Sequence, residues 1–214
     1  MDSISLGKLG HLFPAKTKTE TTSPLLTGCK LRQPLNKDTV SFQGSTQALD
    51  ETLPFRFHQV DENLYRGALP LEENIKTLLK KGVRTFIDFR SAIETKYNSY
   101  SGPVLDDIAK SLGIKPEEVK YINIPINLMG GESAILETLP EKLSEAYKIV
   151  GDRKSPVYFH CAQGVERTGV FAVLYRVKKQ GWDMAKAVAE MAHVNDGNKT
   201  ELMEVLLKGL KRLI

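Results

Sequence analysis

Cys161, Gly164, Arg167 and Thr168 stand in one short stretch and together can grip an anion and attack it. A free thiol ionises near pH ~8.5, and helix N-termini or nearby cations favour the anion. Cys161 has both influences available, in the amides of Ala162, Gln163, Gly164, Val165, Glu166 and Arg167 and in the Arg167 guanidinium. The same amides can hold three phosphate oxygens, with Arg167 offering the bidentate fork that a phosphoryl group wants. Gly164 permits the turn and a close approach of substrate. Thr168 can donate to the sulfur and steady it as a leaving group. His160 can fix the loop through backbone carbonyls. It is not needed as a base, because the surroundings already favour the thiolate.

This chemistry requires backbone N–H groups that converge. The run from Pro156 to Phe159 is apolar and rich in β-formers, and predicts a buried strand. Val170 to Val177 is apolar enough for a buried helix. A strand that feeds a helix through a short loop aims consecutive amides into one concavity, an anion site at a helix N-terminus.

Singly, these residues say little. A lone buried cysteine is usually an inert small hydrophobe, and a lone arginine at a helix start is usually solvated. The joint pattern His160-Cys161-x-x-Gly164-x-x-Arg167-Thr168-Gly169 on a strand–loop–helix is far more specific. It resembles the cysteine-dependent protein tyrosine phosphatases, in particular their dual-specificity-like branch. The run from Val60 to Pro70 also looks like the opening hairpin of the bacterial members of that branch. The resemblance implies a two-step reaction with no metal or other cofactor. Cys161 attacks phosphorus to give a cysteinyl-phosphate, which water then hydrolyses. Rhodanese-like sulfurtransferases have a shorter cysteine-to-arginine spacing and are set aside.

Expelling an alkoxide or phenolate needs a proton donor on a mobile loop. In the resembled family this is an aspartate shortly after an Ile-Pro-like strand end. Here Ile124-Pro125 is followed by Ile126-Asn127-Leu128-Met129-Gly130-Gly131, and no aspartate occurs between Asp107 and Asp152. Glu132, behind a glycine pair that lets the loop swing, is the first candidate acid. Glu166 is the second, since myotubularin-like lipid phosphatases carry an acidic residue at the matching place. Glu137 is a weaker one. A third reading has no acid at all, leaving a slow enzyme or a phosphate-binding module.

The elements around the motif alternate. Phe55 to Val60 and Leu64 to Arg66 read as two strands around an Asp61-Glu62-Asn63 turn. A helix with Leu71, Ile75, Leu78 and Leu79 on one face follows and stops at Gly82. Val83 to Phe89 is a central strand with Asp88 and Arg90 at its C-terminal end, where a salt bridge is the simplest use for them. Val104, Ile108 and Leu112 lie at helical spacing. Lys120 to Ile126 is a further strand, and Leu136 to Val150 a helix broken early by Pro140. Asp183 caps a helix, and Leu202 to Leu213 forms the last one, with Leu202, Val205, Leu206 and Leu210 inward. The expected fold is α/β, a parallel-rich central sheet flanked by helices on both faces.

Residues 1–52, rich in Thr, Ser, Lys and Pro, read as a disordered or loosely attached tail that contains Cys29, and 53–214 as the catalytic domain. Two cysteines exclude a disulfide scaffold, and one reactive thiol fits a reducing, cytoplasmic compartment. No signal sequence or membrane-length apolar run is seen. A formal charge of +4 with scattered basic residues demands neither nucleic acid nor a membrane surface. The expected partner is a phosphorylated protein or another phosphomonoester. Ala162, Gln163, Val165 and Glu166 include no cation, which counts against polyphosphorylated inositol or phosphoinositide substrates.

Overall fold

A computed structural model describes residues 51–97, 100 and 102–214. Residues 1–50 of the tail reading, Cys29 among them, fall outside the described residues. Five short strands make one sheet: β1 His58–Asp61, β2 Leu64–Gly67, β3 Thr85–Asp88, β4 Lys120–Asn123 and β5 Val157–His160. Their order is β1-β2-β5-β3-β4. Only the β1–β2 hairpin is antiparallel; β2–β5, β5–β3 and β3–β4 are parallel. The helices are α1 Glu72–Lys80, α2 Ala92–Tyr97, α3 Gly102–Ser111, α4 Gly131–Gly151, α5 Glu166–Gln180, α6 Met184–Val194 and α7 Glu201–Leu210.

Side-chain alternation along the strands assigns the two faces. Val157 and Phe159 of β5 join Ile87 and Phe89 in a core with α4, α5, α6 and α7. Tyr158 and Phe86 point the other way, into a core with Ile75, Leu78 and Leu79 of α1 and Leu105 and Ile108 of α3. All four β5 residues are buried. This explains why β5 reads as a continuous apolar run and places its C-terminal end mid-sheet, where α/β folds keep their sites.

Three expectations are corrected in detail. The first strand starts at His58, not Phe55, because Arg56 is left-handed (φ 54°) and Phe57 N donates to Pro54 O at 3.0 Å in a turn. Leu71 and Val104 face solvent; Asn74 and Leu105 take the inward positions. Pro140 does not break its helix, and α4 runs through it. Proline removes the N–H that would reach the carbonyl of Leu136. Arg212 Nη1 donates to that carbonyl instead, at 2.7 Å, so the orphan is satisfied from the chain end.

Candidate active site

The stretch from Cys161 to Val165 links β5 to α5. Helix α5 starts at Glu166, earlier than its apolar run suggests, and its N-cap residue Val165 has no side-chain capping bond. The first amides of a fifteen-residue helix are therefore not satisfied by a side-chain cap. Cys161 is 3% exposed and is not in a disulfide. Gly164 N donates to Cys161 Sγ at 3.3 Å, so one loop amide already points at the sulfur. Gly164 has φ 74°, and a Cβ there would lie 2.5 Å from the backbone carbon of Gly67. No other residue fits this turn.

Arg66 of β2 lies beneath the loop, fully buried, and its Nη2 donates to Gly164 O at 2.9 Å. Burial pulls its pKa down to about 10, so it is still a cation at neutral pH. Its Nε and Nη1 have no partner among the described residues. From the neighbouring strand end, Leu69 N donates to Ala162 O at 3.1 Å. Carbonyls held outward leave the intervening amides facing the concavity.

His160 is buried, and that burial lowers its pKa, so the ring is neutral. Its Nδ1 lies 3.0 Å from Cys161 O, which can only accept, so Nδ1 carries the proton. Nε2 is then the acceptor for the Tyr100 hydroxyl at 2.7 Å. The histidine orients the loop and is directed away from the sulfur's proton. Asp88 and Arg90 form the expected salt bridge, at 2.7 Å, with Tyr121 also donating to Asp88 at 2.8 Å.

Arg167 is buried against the loop and bracketed by Glu94 of α2. Nη1 donates to Oε2 at 2.6 Å and Nη2 to Oε1 at 2.7 Å. A guanidinium has two bidentate edges, and Glu94 occupies the end formed by the two Nη atoms. Glu94 does not take the Nε–Nη2 edge. Glu94 is itself held by Ser91, which donates to Oε2 from its amide at 2.9 Å and its hydroxyl at 2.8 Å. Its carboxyl is pulled down to about 2, first by the Arg167 bonds and then by Ser91, against the opposing effect of burial. Thr168 Oγ1 is buried and without a partner among the described residues.

Cys161 and Gly164 meet through the amide–sulfur bond, and Arg167 and Thr168 are buried in the first turn of α5. Glu132 opens α4 and is ion-paired with Lys208 of α7. Glu166 accepts from Thr200 Oγ1 at 3.4 Å. Sequence reasoning missed Glu94, Arg66 and Tyr100. Arg66 lies within β2 and Glu94 and Tyr100 follow β3, strands that pair with β5 on either side, and that placement is the one signal for them.

A family model described as "DSP-PTPase phosphatase fused to NAD+ Kinase" matches residues 38–206. The chain belongs to this family. Dual specificity protein phosphatase TpbA of Pseudomonas aeruginosa is 28% identical over 158 residues, covering 74% of this chain and 62% of that protein. The chain thus spans less than two thirds of that relative. Probable NAD kinase 2, chloroplastic, of Oryza sativa subsp. japonica is 29% identical over 111 residues, 51% of this chain and 10% of that protein. Among solved structures, the core catalytic domain of the PP-IP phosphatase SIW14 from S. cerevisiae, in complex with citrate, aligns with a TM-score of 0.53 at 19% identity. That alignment covers 75% of this chain and 91% of the other, and is a likeness of fold.

The Glu94 bracket makes a prediction with a definite sign. A carboxyl depressed from 4.5 to about 2 contributes fully above pH 4.5 and loses that contribution as pH falls through about 2. Carbon-detected NMR of the Glu94 carboxyl is expected to titrate near 2. In step, Glu94→Gln is expected to lower kcat/KM about tenfold or more by loosening Arg167. A titration near 4.5 would contradict the bracket.

Proposed function

We propose that this chain is a phosphomonoester hydrolase of the tyrosine or dual-specificity type, acting on phosphoproteins in a reducing, cytoplasmic compartment. The observation that carries the reading is the loop itself, with a free cysteine under an inward amide, an uncapped helix start and a pre-oriented arginine. Phosphate binds with its oxygens on the amides of 162–167 and on the open edge of Arg167. Cys161 Sγ attacks phosphorus in line, and the S–P bond forms as the ester P–O bond breaks. The leaving oxygen takes a proton, and water then attacks the cysteinyl-phosphate to release phosphate and regenerate the sulfur. Thr168, whose hydroxyl has no partner among the described residues, donates to the sulfur as it departs. Preorganised donors of this kind are commonly the largest catalytic contribution.

Glu132 is the proposed proton donor. To serve, it must leave Lys208, and the Gly130-Gly131 pair before it, both at positive φ, supplies the hinge. Its rival Glu166, the first residue of α5, accepts from Thr200 Oγ1 at 3.4 Å.

Two measurements test these assignments. Wild type is expected to release phosphate from an aryl phosphate while Cys161→Ser does not; wild-type turnover no higher than the mutant's would leave a phosphate-binding module. Glu132→Gln is expected to slow esters with poor leaving groups about a hundredfold while sparing activated aryl esters. Equal loss on both would transfer the acid role to Glu166.

A further inference from the structure

Among the described residues, two non-glycine positions have left-handed backbones, Arg56 and Asp196, each at φ 54°. They are paired with one another, Arg56 Nη2 to Asp196 Oδ2 at 3.7 Å. The pair stands beside the phosphate loop, because Arg56 Nη1 donates to Gln163 O at 3.4 Å across 107 residues of sequence. Asp196 follows α6 and precedes Gly197, where a left-handed aspartate is an ordinary way to end a helix. Arginine has no such excuse, and strained backbone of this kind gathers at ligand clamps.

What the strain secures as it stands is slight. The Asp196 carboxylate is 86% exposed and the contact is long, and exposed pairs of this sort contribute little. The bond to Gln163 is at the limit of hydrogen-bonding distance. The guanidinium is nevertheless held in place, 4.7 Å above the ring of Phe55, which is itself 62% exposed. Within the loop, Arg167 has its Nη end committed to Glu94. The amides and the open edge of Arg167 are enough for one phosphate and leave nothing for a second anion.

We propose that Arg56 is a second anion-binding group at the mouth of the phosphate site, selecting substrates that carry another negative group beside the scissile phosphate. The inference rests on the phosphatase reading and adds a substrate class to it. Arg56 exchanges the Asp196 carboxylate for the incoming anion, so the rim stays charge-balanced before and after binding. The loop's variable positions lack cations, but the fold supplies one from the segment before β1. A flanking carboxylate in a phosphopeptide and a second phosphate on a small ring present the same planar or trigonal acceptor to the fork.

The experiment compares kcat/KM for wild type, Arg56→Gly, Arg56→Lys and Asp196→Asn on four substrates. These are phenyl phosphate, a phosphotyrosine peptide with glutamine neighbours, the same peptide with glutamate neighbours, and an inositol bisphosphate. Glycine at 56 keeps the left-handed turn while deleting the cation. Arg56→Gly is expected to cost the doubly anionic substrates about tenfold more than phenyl phosphate. Arg56→Lys should retain part of the preference, and Asp196→Asn should raise kcat/KM on the same substrates by freeing the arginine. Whichever of the glutamate peptide and the bisphosphate shows the excess loss identifies the source of the anion. Equal losses on all four substrates, or none on any, overturn the inference while phenyl phosphate turnover leaves the phosphatase reading standing. Failure of wild type to turn over any of the four removes both.

Discussion

The loop depends on two backbones lying against each other. Gly164 meets the end of β2 so closely that a Cβ on it would lie 2.5 Å from the Gly67 carbonyl carbon. At Gly67 a Cβ would come 2.5 Å from the Tyr158 hydroxyl, which itself donates to Ala68 O. Arg66, immediately before, closes the contact from below by taking the Gly164 carbonyl. A carbonyl turned outward obliges the next amide to turn inward. The proposed anion site is thus a consequence of how β2 and the loop pack, with little reorganisation left for a bound phosphate to drive.

The charges around this cup are arranged so that none is idle and few are free. Glu94 fixes the end of Arg167 without taking its side edge. Asp88 is satisfied by Arg90 and Tyr121, with His160 Nδ1 3.8 Å away. His160 stays neutral through burial and spends both ring nitrogens on orientation. Buried polar networks of this kind are costly when half satisfied and rigid when complete. The groups without partners among the described residues are Thr168 Oγ1 and two nitrogens of Arg66, whose remaining nitrogen holds the loop at Gly164 O.

The motif, the parallel strands and the Asp183 cap could be read from the sequence because each is written in adjacent residues. Asp183 accepts from Ala185 N at 2.8 Å, as its place before an amphipathic run implies. What could not be read is long-range. Nothing local in Ser91-Ala92-Ile93-Glu94 announces a bracket for an arginine 73 residues away. Arg56 reads as one residue of an alternating strand, and nothing adjacent to it announces its left-handed turn. Pro140 looked like a helix end because the arginine that rescues the freed carbonyl lies 76 positions downstream. Leu71 and Val104 fit helical spacing, but the cores had chosen Asn74 and Leu105. Periodicity finds an apolar face to within about a residue, and packing then chooses which side chains it buries.

The account turns on one sulfur accepting a phosphoryl group from substrate. Rapid acid quench of the protein with a radiolabelled aryl phosphate, followed by peptide mapping, tests this directly. Label is expected on the peptide containing Cys161, lost in Cys161→Ser, and accumulating when water attack is slowed by Thr168→Ala. Phosphate release with no labelled intermediate, or label on any other residue, would contradict it.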